Sequence, residues 1–425
     1  MTEISNNSTS SSGTRSKRYM MFLVFYMICY EIFDTYTCSY YLAINSYIYA
    51  DFGIGPTIWY FMIAIASIGY FFAIIMQFLA DKVGRRPMMF FVFFGMGLSS
   101  FLLGFARDPI TFTLLMFFMF IFFTSDIWGI AMSEEAPPDK RAKYTSFILA
   151  IGIIASVSIP IIRDFFIYPD PSGAPRQTWE NMAFFGGVAM ILAFLGYFMK
   201  ETRAYEKMKE NKIGSTRFTK ENIKNTLIKP FQGKNRSIVI VFIIVGFILG
   251  INYASLHSLE GLVSDVFYQD LWNIALYGAG AGSLFTFAMI GVLSDKIGRK
   301  KVLYFYAITL FLATIFIFIS IETLSIPLIM FSVFLMNGFF WGLGSISRLM
   351  ALESFDTDIR AYGSGWRSFS YALGLTIGSA LSGLMTLVLD LHYIYIINAL
   401  AIIILIPVLV WKYVPETTGK VLVNE

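Results

Sequence analysis

Apolar residues run along this chain in blocks of roughly twenty, divided by short polar stretches. Segments 238–256, 302–320 and 394–411 are each long enough to cross a hydrocarbon layer of about 30 Å. In lipid, every backbone N–H and C=O must find its partner inside its own segment, so such spans are helices. The pattern predicts helices near 19–48, 57–79, 87–105, 110–133, 144–162, 179–200, 237–262, 273–293, 302–320, 325–347, 364–388 and 393–413. The predicted fold is therefore all-α and polytopic, with twelve transmembrane helices. One polar stretch, 201–236, is rich in Lys and Asn and divides six helices from six. It reads as a cytoplasmic linker, either solvated or with a basic helix lying on anionic lipid. The chain thus divides into a disordered tail 1–18, a bundle 19–200, the linker 201–236, a bundle 237–413 and a tail 414–425.

Composition excludes a water-exposed alternative. Only 14% of residues are charged and 57% are hydrophobic, against about 25% charged in soluble domains. The net charge of +4 encodes topology, not a nucleic-acid partner. Of the 32 Lys and Arg, all but Arg107, Arg163 and Arg176 fall on one side of the predicted spans. That asymmetry places both termini in the cytoplasm of a multi-pass protein of the cell membrane. The first apolar stretch is too long for a signal peptide. Cys29 and Cys38 lie about 13 Å apart on one helix, too far for a disulfide. Neither a metal nor a cofactor is expected.

Three motifs recur at nearly one spacing, close to half the length of the chain. DKVGRR begins at Asp81 and returns as DKIGRK at Asp295. Glu134-x-x-Pro137-x-x-x-Arg141 returns as Glu353-x-x-Asp356-x-x-x-Arg360. Glu201-Thr202 returns as Glu416-Thr417. The two bundles are therefore copies of one unit. Asp81 and Asp295 are expected to cap helix starts through orphan backbone donors. Arg85, Arg141, Arg299 and Arg360 are expected to pair with Glu134, Glu201, Glu353 and Glu416. Such pairs either latch the halves together at the cytoplasmic mouth or serve only as topology signals and headgroup contacts.

On these residues the chain resembles the major facilitator superfamily. Its loop pattern is G-x-L-x-D-x-x-G-[RK]-[RK], and its sugar-porter and organic-solute branches add E-x-x-P-x-x-x-R and PETxG, here Pro415 to Gly419. The chain departs from the pattern at Gln77, Asp356 and Lys200. Arg348 stands where sugar porters place a tryptophan, and their helix-4 arginine and helix-7 glutamines are missing. The resemblance implies two halves related by an axis along the membrane normal, with solute bound between them near the midplane.

Ionisable groups inside spanning helices are costly and mark function by default. Glu31 and Asp34 share a face of the first helix, and two close carboxylates in low dielectric cannot both ionise cheaply. They are the candidate proton-coupling pair, a role the resemblance supports for Asp34; the alternative is a pair of structural acids bonded to nearby Tyr and Thr. Asp126 is either a second proton or solute site or a structural acid. Asn252, Tyr253, His257, Asn337 and Trp341 are the candidate solute-binding groups, polar and flat residues near mid-membrane. Glu260 either joins them or reaches the outer headgroups. Arg348 either binds a solute carboxylate or snorkels to the cytoplasm.

The expected function is proton-coupled symport of a small polar organic solute, such as a sugar or organic acid, by a monomer whose partners are solute, protons and the bilayer. A proton-driven exporter of organic cations is the alternative; a transporter-like sensor is remote, given the short predicted tails. No nucleophile–base set or phosphate loop suggests an enzyme.

Overall fold

The computed structural model describes residues 15–123, 127–137, 141–167, 179–203, 205–206, 228–233, 235–355 and 360–417. Among them the chain forms twelve long helical segments and no strand. The first half holds α1 (Lys17–Ser39), α2 (Pro56–Ala66, continuing through Ser67–Phe72 into Ala73–Val83) and α3 (Arg85–Leu103). It goes on with α4 (Pro109–Phe123, resuming at Ile127–Glu135), α5 (Arg141–Phe166) and α6 (Glu180–Phe198). The second half holds α7 (Asn235–Leu256), α8 (Gln269–Ile297), α9 (Arg299–Glu322), α10 (Ile326–Ser354), α11 (Arg360–Met385) and α12 (Leu391–Tyr413). Ten described helical segments are long and apolar enough to cross a membrane. Within α8, Ile274–Ile290 is an apolar helical stretch. The outer surface carries the residues lipid would cover, such as Ile110, Ile191, Phe198, Val388 and Val408. This is a multi-pass membrane protein.

Packing follows the duplication. In the first half α1 packs on α5 and α3 on α6; in the second, α7 packs on α11 and α9 on α12. The most extensive contacts between the halves are α2 with α11 and α5 with α8, and each is the image of the other. Glycines bring helices to backbone contact, as lipid-embedded packing favours. A Cβ on Gly250 of α7 would overlap the Tyr371 carbonyl of α11, and a Cβ on Gly374 would overlap the Phe247 carbonyl. Between the halves, a Cβ on Gly280 of α8 would press on Val157 of α5 at 2.9 Å.

The first helix differs from the predicted 19–48. It ends at Ser39, tightens into a 3-10 turn at Tyr40–Ala43 and resumes as the short helix Asn45–Phe52. Its counterpart α7 breaks at His257 and Ser258 before the short helix Leu259–Val266. Hydropathy is blind to such breaks, because polar side chains from a neighbour can satisfy the freed backbone. At its start Ser16 caps α1 by accepting from the Tyr19 N–H, and Arg15 is bonded into the first half.

Candidate functional site

The end of the bundle where α1 begins and α12 finishes is the termini end; the other is the far end. At the termini end the repeated motifs converge into two matching charge clusters. Arg85 opens α3, and its guanidinium forks onto Glu134 with Nη2–Oε1 at 2.9 Å and Nε–Oε2 at 3.1 Å. The Thr202 hydroxyl donates to Glu134 at 2.5 Å, and the Arg85 backbone N–H donates to Glu201 at 2.8 Å. In the second half Arg299 opens α9 and reaches Glu353 at 3.3 and 3.4 Å. The Thr417 hydroxyl donates to Glu353 at 2.6 Å, and the Arg299 N–H donates to Glu416 at 2.9 Å. Each cluster ties three segments of one half.

These contacts explain the motif spacing. The helix starts are capped by Glu201 and Glu416, each aimed at orphan N–H groups and the positive end of a helix. The preceding glycines have φ of 114° at Gly84 and 103° at Gly298, which L side chains rarely adopt. A Cβ on Gly84 would also overlap the Glu201 carboxylate. Arg15 extends the first cluster, with Nε 2.9 Å from Glu135 Oε2 and Nη2 2.6 Å from the Glu201 carbonyl. The side chains of Asp81, Arg141, Asp295 and Arg360, and the whole of Asp126, lie outside the described residues.

The far end is closed by bonds between the halves. The break in α7 frees the His257 carbonyl, which accepts from Asn45 Nδ2 at 2.6 Å and from the Trp59 indole at 2.8 Å. The break after α1 frees the Ala43 carbonyl, which accepts from the Trp272 indole at 3.2 Å. Trp59 on α2 and Trp272 on α8 thus perform the same act in opposite directions. The buried Glu260 carboxylate accepts from the N–H and hydroxyl of Ser46, at the start of the short helix Asn45–Phe52. Tyr60 meets Ser258 at 2.6 Å, and Thr57 meets Thr386 at 2.7 Å. His257 stands 3.2 Å from the Tyr41 hydroxyl through Nε2 and 2.9 Å from the Tyr253 carbonyl through Nδ1. His257 and Glu260 therefore belong to the closure.

Beneath the closure lies a cavity of about 40 Å³ between the halves. Ser39, Ser156, Trp272, Asn337 and Trp341 contribute to its wall, with Leu42, Ile159, Leu256, Leu259, Leu276 and Ala279. It has room for a few waters and is well below the roughly 300 Å³ of a small-molecule site. Trp341 and Asn337 line it; Asn337 also ties α10 to α8 through Ala279 and Ser283. Tyr253 is buried against Phe340, stacked at 5.4 Å, with Trp341 at 5.5 Å. Asn252 ties α7 to α12 by donating to the Asn398 carbonyl at 2.8 Å. A Cβ built on Gly129, Gly344 or Gly365 would meet no described atom within 4 Å.

Glu31 is buried on α1, and its side chain fills the room left by Gly152 of α5. Asp34, one turn on, is half-buried. Arg367 of α11 is buried and donates to the Gly344 carbonyl at 2.9 Å and the Ser347 hydroxyl at 2.8 Å. Arg348 of α10 is exposed. Arg15, Trp59, Trp272 and Ser46 were not among the candidates drawn from the sequence. For the tryptophans a signal existed, since the step from Trp59 to Trp272 is close to the motif spacing.

Several known proteins are similar to this chain. The sialic acid transporter NanX of Escherichia coli is 26% identical over 332 residues, 72% of each chain. The inner membrane metabolite transport protein YhjE of E. coli is 23% identical over 333 residues, 74% of this chain and 73% of its own. The xylose transporter XylE of E. coli, solved in a partially occluded inward-open conformation, superposes with a TM-score of 0.74 at 18% identity, covering 95% of this chain and all of its own. The family model for the Major Facilitator Superfamily matches residues 24–344 and 266–424. With that model spanning nearly the whole chain and the duplicated architecture to match, the protein belongs to the Major Facilitator Superfamily.

Proposed function

We propose that the protein is a proton-coupled symporter of a small, polar, sugar-like solute, working by alternating access in the cell membrane with both termini in the cytoplasm. The observation that carries this reading is the asymmetry of the space between the halves. A buried pair of indole–carbonyl bonds and the Glu260–Ser46 bonds seal the far end. A Cβ on Gly129, Gly344 or Gly365 would meet no described atom within 4 Å, which we read as room toward the termini end. Basic residues gather at the termini end, so that end faces the cytoplasm. The arrangement is then an inward-facing state, one of two that a rocking motion would exchange. The similarity to transporters of sialic acid and xylose supports a sugar-like solute.

Glu31 and Asp34 are assigned the proton. They lie one turn apart on α1, the helix that contributes Ser39 to the cavity wall. A carboxyl that protonates with solute bound lets the loaded carrier rock; one that stays charged in a dry interface opposes the motion. The charge clusters then act chiefly as clamps within each half, keeping it rigid as it rocks.

The test uses purified protein in liposomes with a pH-sensitive dye inside. An acidic exterior should drive solute accumulation. Asp34→Asn should abolish accumulation while solute exchange persists. Accumulation by the variant at the wild-type level removes Asp34 as the coupling site. Inhibition of uptake by external acid would instead favour proton-driven export.

A further inference from the structure

The chain around the break in α7 carries no residue that breaks helices. From Ile251 to Glu260 it reads INYASLHSLE, without proline or glycine. Only His257 and Ser258 separate α7 from the short helix Leu259–Val266, and there the backbone tightens, with the His257 N–H donating to the Ala254 carbonyl at 3.1 Å. A helix interrupted without proline or glycine is interrupted by side chains bonded into it.

Those side chains come from two places. The opposite half supplies Asn45 and Trp59 to the His257 carbonyl, Tyr41 to the His257 ring and Tyr60 to the Ser258 hydroxyl. The other source is α12. Its Tyr395 hydroxyl meets the same Ser258 hydroxyl at 2.8 Å. Its Asn398 amide donates to the Ser255 hydroxyl at 3.1 Å and to Ser382 of α11 at 3.3 Å. The Asn398 carbonyl accepts from Asn252, three positions before Ser255, at 2.8 Å. Tyr395 and Asn398 are both buried, and α12 packs chiefly on α9 and α7, within its own half. When the halves part at the far end, the bonds from the first half leave and those from α12 stay.

We propose that Tyr395 and Asn398 are positioning residues that keep α7 broken while the far end is open. Neither proline nor glycine then opposes a continuous helix, which would take the His257 carbonyl into its own ladder and withdraw it from Asn45 and Trp59. By holding Ser258 and Ser255 in the broken form, α12 keeps that acceptor ready for the closure to re-form. One serine hydroxyl thus serves two purposes: its bond to Tyr60 makes the closure, and its bond to Tyr395 preserves the shape the closure needs. The inference rests on the alternating-access reading above and extends it to a helix beside the rocking interface.

Tyr60→Phe and Tyr395→Phe each delete one hydroxyl bonded to Ser258, so a role in stability alone would make them equivalent. The experiment uses the full chain in liposomes with Cys29 and Cys38 replaced and dyes on cysteines at the exposed far-end positions Ile110 and Val388. Single-molecule energy transfer between the dyes reads the opening and closing rates. Tyr60→Phe should speed opening about fivefold, the equivalent of one neutral hydrogen bond, and leave closing unchanged. Tyr395→Phe should slow closing about fivefold. Asn398→Leu, which keeps the volume and removes the amide, should slow closing as well. Ser258→Ala should do both, and adding Tyr395→Phe to it should change nothing further, because the two act through one bond. Identical kinetics for the two phenylalanine variants overturn the proposal, as does an unchanged closing rate in Tyr395→Phe or Ser258→Ala. Those results leave an alternating carrier intact. A single, unvarying transfer level in the otherwise unmodified chain would instead remove alternating access and this inference with it.

Discussion

Gly84 and Gly298 show how a single residue can set a motif. Each turns the chain at a φ above 100° and lets a glutamate from elsewhere in the same half cap the next helix. Backbone strain of this kind costs about 1–3 kcal/mol for other residues. Gly84→Ala is expected to lower thermal stability in detergent more than Gly298→Ala. A Cβ at Gly84 overlaps the Glu201 carboxylate, whereas at Gly298 it approaches Glu416 at 3.0 Å. Equal melting temperatures for the two variants would contradict this ordering. Glu134 and Glu353 are bound by the same logic. Each meets an arginine fork and a threonine hydroxyl, so Glu134→Gln should destabilise the first half by leaving the buried Arg85 charge partly unmatched.

Among the helices, α1 and α7 are each followed by a break and a short helix. A continuous helix would use the carbonyls of Ala43 and His257 internally; the breaks release them to indoles of the opposite half. Hydrogen bonds of this kind contribute about 1 kcal/mol each. Trp59→Phe should therefore shift the protein toward an open far end without dismantling either bundle. Hydrogen–deuterium exchange provides the readout: the short helices Asn45–Phe52 and Leu259–Val266 should exchange several-fold faster, while α3 and α9 stay unchanged. Trp272→Phe should act alike, and protection unaltered in both variants would show that the indole bonds do not hold the closure.

At the scale of the molecule, the two halves meet through α2–α11 and α5–α8 and close at the far end through Thr57 and Thr386, 2.7 Å apart. Cysteines at both positions, with Cys29 and Cys38 replaced, should form a disulfide on oxidation. Alternating access then predicts that oxidation stops transport and reduction restores it, which solute flux in liposomes measures. Transport that persists with the bond formed would mean that the far end need not open.

Much of this was legible in residue order. Apolar blocks of spanning length dictate helices because lipid offers the backbone no other partner. A set of three motifs, each repeated after nearly the same stretch of chain, dictates two like halves, whatever their packing. The charge pairing of Arg85 with Glu134 and Arg299 with Glu353 was equally readable, since acid and base recur in step. That the pairs bind within a half, and that Glu201 and Glu416 do the capping, depends on which helix ends share a corner, and only the folded bundle decides that. The breaks in α1 and α7 were invisible for a related reason. Their freed carbonyls are satisfied by Trp59, Asn45 and Trp272, residues that come from the other half and carry no local sign of that use. Composition and periodicity thus determined the class, the spans and the duplication, because those follow from local physics and solvent. Which polar groups seal the far end, and which line the cavity, followed from contacts between residues half a chain apart, and those exist only once the halves have packed.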